Sequence, residues 1–183
     1  FAPGQRVLDL ACGTGTLAIW IKQHQPQANI IGVDGDPAIL SFASRKAQKA
    51  NVSIQLDRAL SYRLPYPAVH FDRVVSSLFF HHLSRENKRR AAQELFRVLK
   101  PGAELHVADW GRASNPWMRG LFLLVQLLDG FKNTQENVSG KLITFFEQAG
   151  FVEVAERQTV STIFGTMALY SAIRPTNDGE KHD

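Results

Sequence analysis

The sequence predicts an α/β fold: a doubly wound, mostly parallel, seven-stranded sheet that ends in an antiparallel hairpin. Three observations predict it. Short apolar runs alternate with runs of helical periodicity through five successive units. A glycine turn, Gly13-Thr14-Gly15, joins the first strand to the first helix. The last two strands have no helix between them, so they pair antiparallel.

The elements follow in order. "RVLDLA" at 6–11 is a short apolar strand, and "TLAIWIKQH" at 16–24 continues as a helix after the glycines. "NIIGVD" at 29–34 is the second strand. "DPAILSFASRKAQKA" at 36–50 opens with aspartate as N-cap and proline at the first helical position. "VSIQLD" at 52–57 alternates as a third strand, and "FDRVVSSLFF" at 71–80 is the fourth. A helix at 85–99 carries Ala91, Leu95, Val98 and Leu99 at helical spacing. It is expected to stop at Lys100-Pro101-Gly102, where proline cannot continue a helix and glycine turns the chain.

"AELHVAD" at 103–109 is the fifth strand, and a helical insert spans about 116–129. "SGKLITFFEQAGF" is a helix ending at Gly150, and "VEVAERQTV" and "TMALYSAI" form the terminal hairpin. One domain over 1–173 is expected, followed by a polar tail at 174–183. The chain opens on Phe1 rather than methionine, and a missing N-terminal segment is expected from that.

Composition excludes several classes. With 183 residues, 44% of them hydrophobic and 21% charged, the chain can bury a core and is not a disordered tract. A net charge of +4 comes with no basic stripe interleaved with aromatics, so no nucleic-acid partner is expected. The densest charge cluster, "SRENKRR" at 84–90, reads as a solvated helix face. A single cysteine, Cys12, excludes an intrachain disulfide and a multi-cysteine metal site, and no metal is expected. No apolar run is long enough to span a bilayer. A reducing, cytoplasmic setting is compatible with all of this.

In such a sheet the ligand sits beyond the carboxyl ends of the strands, where the glycine turn lies. Asp34 ends the second strand 19 residues after Gly15, placed to accept hydrogen bonds from ribose hydroxyls. "GTGTLA" also satisfies the dinucleotide pattern G-x-G-x-x-A, which makes an NAD-dependent oxidoreductase one candidate. Asp9, four residues before Gly13, opposes it. At about 5 Å and an effective dielectric near 20, a carboxylate and a phosphate repel by roughly 3 kcal/mol. A ligand with an ammonium and a sulfonium and no phosphate reverses that sign, and S-adenosyl-L-methionine is such a ligand.

"VLDLACGTG", "GVDGDPAIL", "LPYPAVHFDRVVSSLFFHHL" and "LFRVLKPGAELHVADW", in that order, resemble class I S-adenosylmethionine-dependent methyltransferases. The closest flavour is the group that includes ubiquinone- and menaquinone-biosynthesis enzymes. The resemblance covers about residues 4–173 and implies a Rossmann-like methyltransferase fold, S-adenosyl-L-methionine as cofactor and S-adenosyl-L-homocysteine as product. Carried over by position, it places Asp9 on the methionine amino end. Ala11, Gly13 and Gly15 let the backbone approach the cofactor. Asp34 takes the ribose, Gly35 flanks the adenine and Ser76 faces the methionine moiety.

Two positions depart from the family pattern. Ala11 stands where the first glycine of D-x-G-x-G-x-G is usual. The aspartate that often holds the adenine amino group falls at Leu60, so adenine is expected against Leu60 and backbone groups, with Ser61 beside it. Asp57 reaches that place only if three residues loop out, and is expected to be dispensable for the cofactor.

Methyl transfer is an in-line displacement for which the protein supplies alignment and desolvation. A base is needed only if the acceptor must lose a proton. His81 and His82, just beyond the fourth strand, are the candidates, with anchoring of the loop before the next helix as the alternative role. The insert at 109–131 offers Trp117, Leu121, Leu124, Val125 and Leu128, widened by Phe122, Leu123 and Leu127. It is expected either to wall a cavity for a lipid-like or aromatic acceptor or to pack against an N-terminal segment. Peripheral membrane contact is compatible with it, though no residue demands it. The expected function is thus methyl transfer to a small, apolar or aromatic acceptor. The alternatives are the oxidoreductase and a non-catalytic cofactor-binding module.

Overall fold

The computed structural model describes residues 1–111, 142–162 and 165–176. The strands are β1 (Arg6–Leu10), β2 (Asn29–Asp34), β3 (Gln55–Arg58), β4 (Phe71–Ser77), β5 (Leu99–Trp110), β6 (Val152–Thr162) and β7 (Gly165–Ile173). They form one sheet of order β3-β2-β1-β4-β5-β7-β6. The first five run parallel, and β7 pairs antiparallel with both β5 and β6, as the missing crossover helix requires. The described helices are α1 (Thr16–His24), α2 (Pro37–Lys49), α3 (Arg85–Val98) and α4 (Leu142–Gln148). None is long and apolar enough to cross a membrane.

Strand alternation divides the core in two. Leu8 and Leu10 of β1 face a large cluster with Val74, Val107, Leu95 and Phe146, on the side covered by α3 and α4. Val7 faces a smaller cluster with Ala18, Ile21 and Val75, on the side covered by α1. Asp9 shares the face of Val7, because side chains alternate with a period of two.

Local chemistry sets the helix starts. Asp36 caps α2 by accepting from the Ala38 N–H at 2.8 Å, and Pro37 follows at the first position. Ser84 caps α3 by accepting from the Asn87 N–H at 3.3 Å. Gly15 begins α1 at φ +72°, and a Cβ there would lie 3.1 Å from the Ala43 Cβ of α2. Gly15→Ala therefore incurs both left-handed strain, about 1–2 kcal/mol, and a helix–helix clash. We expect it to destabilise the fold by about 2 kcal/mol, read as a lower urea midpoint.

Several boundaries differ from the sequence reading. The third strand begins at Gln55 rather than Val52, because Asn51 and Val52 are used to end α2. Asn51 sits at φ +53° and the Val52 N–H bonds back to the Ala47 carbonyl, a Schellman-type stop. The fourth strand ends at Ser77 rather than Phe80: Leu78 turns left-handed at φ +53°, and Phe80–His82 form a 3₁₀ turn. Helix α3 ends at Val98, short of Leu99, which is already extended and pairs with Phe71. Lys100 must be extended too, as the residue before Pro101. The Lys100-Pro101-Gly102 segment therefore belongs to β5, with Gly102 at φ +75°.

Helix α4 does end at a left-handed Gly150, φ +103°, with the Phe151 N–H returning to the Phe146 carbonyl. The helical insert expected at about 116–129 lies outside the described residues, as do residues 139–141 of the helix expected to end at Gly150.

Candidate functional site

A cavity of about 1020 Å³ opens beyond the carboxyl ends of β1, β2 and β4. Asp9, Ala11, Gly13, Asp34 and Gly35 line it, and so do Leu60, Ser61 and His82. The sheet explains this convergence, since β1 and β2 lie side by side with Asp9 opposite Gly32. After β1 the chain turns at once: Ala11 and Gly13 are left-handed, at φ +54° and +53°. The Cys12 N–H donates to the Val33 carbonyl at 2.9 Å, which pins the turn to β2.

Asp9 is almost fully buried, with Oδ2 accepting from the Ala18 N–H of α1 at 3.1 Å. Burial pushes its carboxyl up to about 7, against the pull of that N–H and with a further push from the Asp34 charge. Asp34 organises the loop with both oxygens. Oδ2 accepts from the Gly13 N–H and Oδ1 from the Asp36 N–H, each at 3.0 Å. Among the described residues that line the cavity there are two aspartates and no lysine or arginine.

Cys12 lines the same cavity, in a setting that favours the protonated thiol. Burial and the charges of Asp9 and Asp34 push its thiol up to about 12. Its sulfur fills the space over Gly32, where an added Cβ would stand 2.9 Å away.

Leu60 is half-exposed and Ser61 is buried, both held in a tight turn closed by the Arg63 N–H to the Leu60 carbonyl at 2.9 Å. A Leu60 methyl lies 3.5 Å from where a Cβ on Gly35 would be, so the two flank one apolar slot. Asp57 is not among the lining residues. Its Oδ2 accepts from the Tyr66 hydroxyl and the Gln55 amide, both at 2.7 Å, and burial followed by that bond raises the Tyr66 phenol. We expect Asp57→Ala to change S-adenosylmethionine affinity less than threefold by calorimetry while costing about 1 kcal/mol of stability.

Gly15, Ser76 and His81 lie outside the lining. Gly15 meets α2 instead. Ser76 is buried and donates its hydroxyl to the Leu10 carbonyl at 2.9 Å. Its neighbour Ser77 lines the cavity, because Ser77 shares the face of Val75 and Asp9. His81 is buried, with Nδ1 2.7 Å from Asp109 Oδ1 and its backbone N–H donating to Oδ2 at 3.2 Å. The ring of His82 lies against it, with centroids 3.9 Å apart.

Sequence reasoning missed Trp20, Ile39, Tyr62, Leu78 and Phe79 in the lining. Trp20 was within reach: it follows Thr16 by one helical turn on the face that opens to the cavity. Leu78 and Phe79 gave no signal, since the left-handed turn that aims them has no glycine.

Residues 7–102 match the methyltransferase domain family. The chain is 37% identical over 121 residues to the demethylmenaquinone methyltransferase of Thermus thermophilus, covering 66% of this chain and 52% of that protein. It is 30% identical over 186 residues to the ubiquinone/menaquinone biosynthesis C-methyltransferase of Syntrophotalea carbinolica, covering 92% and 76%. Among solved structures, an S-adenosylmethionine-dependent methyltransferase from Methanosarcina mazei superposes with a TM-score of 0.78 at 18% identity, covering 97% and 95%. The chain spans about half the length of the Thermus protein and about three quarters of the Syntrophotalea one. The chain belongs to the class I S-adenosylmethionine-dependent methyltransferase family, close to the ubiquinone and menaquinone group.

Proposed function

We propose that this chain transfers a methyl group from S-adenosyl-L-methionine to a small, apolar aromatic acceptor of the quinone-precursor kind. The observation that carries the reading is the charge of the cavity: a buried carboxylate, Asp9, and a second one, Asp34, with no basic side chain among the described lining. That set suits a cationic, phosphate-free nucleoside and disfavours the pyrophosphate of NAD. Asp9 takes the ammonium of the methionine moiety, and Asp34 takes the ribose with whatever accepting capacity its two loop bonds leave. The slot between Gly35 and Leu60 takes the adenine, with Ser61 beside it. Ala11 and Gly13 let the backbone come close.

The bound cofactor supplies a methyl group already activated on sulfur. The chain's own part is to align the acceptor, exclude water and remove a proton where the acceptor carries one. His82 is the base in this reading, and Phe79, Leu78 and Trp20 give the acceptor side an apolar wall. The two relatives are named for quinone methylation, which supports the acceptor class. A single cysteine, which can form no intrachain disulfide, supports the cytoplasmic setting in this reading.

Calorimetry with S-adenosylmethionine, S-adenosylhomocysteine and NAD, followed by mass spectrometry of a demethylmenaquinone analogue, tests the reading. We expect binding of the first two, weak or no binding of NAD, and a product heavier by one methylene. Tighter binding of NAD would favour the oxidoreductase. Cofactor binding without S-adenosylhomocysteine release on any acceptor would favour the non-catalytic module.

A further inference from the structure

We propose that Asp109 is a positioning residue for acceptor deprotonation, which acts through His81 to hold the His82 ring at the cavity wall. The inference rests on the methyl-transfer reading above.

Asp109 is fully buried near the end of β5. Its carboxylate takes three N–H groups: the His81 ring Nδ1 at 2.7 Å, the His81 backbone at 3.2 Å and the Trp110 backbone at 2.7 Å. A carboxylate only accepts, so Nδ1 is the donor and the ring orientation is fixed. One side chain thereby grips both the main chain and the ring of His81. The 3₁₀ turn Phe80–His82 is tied to β5 and cannot swing about the end of β4. The His81 ring then backs that of His82, at 3.9 Å and 43°, and has the Trp110 indole 6.3 Å from its centre.

Packing of the turn alone needs no buried carboxylate, because an apolar pair would fill the same space without the desolvation cost. Orientation of a base does need one, in the way that a carboxylate orients an imidazole elsewhere. Among the described residues, the titratable groups near His82 are His81 on its own turn, with Asp109 of β5 behind it, and Asp9, Cys12, Asp34 and Tyr62 in the lining of the same cavity.

In the step this serves, an aromatic hydroxyl passes its proton to His82. The oxygen, or a ring carbon conjugated to it, forms the new bond to the methyl carbon. The carbon–sulfur bond breaks and sulfur keeps the electron pair.

The test uses the full chain with S-adenosylmethionine and a prenylated 1,4-dihydroxynaphthalene. His81→Asn keeps an N–H for Asp109 but removes the ring behind His82, and Asp109→Asn removes one acceptor. We expect both to lower kcat at least tenfold and to displace the rising limb of the kcat–pH profile. The cofactor Kd should stay within threefold. His82→Ala should lose that limb altogether. A folded His81→Asn variant with kcat within twofold and a native pH profile would overturn the positioning role, whether or not Asp109→Asn folds. A wild-type chain that fails to bind S-adenosylmethionine overturns the methyl-transfer reading itself, and calorimetry separates that failure from the other.

Discussion

Asp9→Asn is expected to weaken S-adenosylmethionine binding at least 100-fold while making the unliganded chain more stable at pH 8. Both effects come from one buried carboxylate. Removing one partner of a buried ionic contact costs about 3–5 kcal/mol, which sets the affinity loss. The stability effect has the opposite sign. Burial, chiefly, moves the Asp9 carboxyl from 3.8 to about 7, so the folded state holds its proton more tightly than the unfolded state does. The contribution of this group is then complete below about pH 4 and is lost as pH rises through 7. At about 1.4 kcal/mol per unit, its ceiling is about 4 kcal/mol. Asparagine keeps the acceptor for Ala18 without the charge, and we expect a gain of about 1–3 kcal/mol at pH 8. Urea melts at pH 8 should separate the two proteins, and melts near pH 4 should bring them together. Cofactor affinity of the native chain should fall as pH drops below 7, by up to tenfold per unit, whereas the variant should show no such slope. Binding by the variant within threefold of the native chain would refute the role given to Asp9.

Asp34→Ala is expected to lose both affinity and loop structure. Its two oxygens hold the Gly13 and Asp36 N–H groups, one on each side of the site. Hydrogen bonds to a charged acceptor contribute about 1.5–3 kcal/mol each. We expect the variant to be about 2–4 kcal/mol less stable and to bind cofactor at least 100-fold more weakly. Asp34→Asn keeps one acceptor oxygen and should fall between. Equal affinity in the alanine variant and the native chain, measured by calorimetry, would show that Asp34 shapes the loop without touching the ligand.

The fold was legible because alternation of periodicities leaves few topologies. The convergence of Asp9, Gly13 and Asp34 on one cavity was also legible, because a glycine turn and two carboxylates near strand ends must meet in a parallel sheet. What escaped the sequence depends on single left-handed residues without glycine. Asn51 delays β3, and Leu78 ends β4 early and resets the facing of every residue up to His82. Periodicity could not say which histidine turns inward, nor that Asp109, read only as the last residue of a strand, would meet it. Ser76 and Ser77 differ by one place in a strand, and only the facing of Asp9 and Val75 decides between them.

The division of the core into two clusters has an evolutionary consequence. Asp9 and the start of α1 rest on the smaller cluster, whereas His81 and Asp109 belong to the face of the larger one. Changes around His81 and Asp109 therefore load a different set of side chains from changes around Asp9. A lineage can accumulate substitutions beneath the histidine turn while the packing beneath Asp9 stays under separate selection.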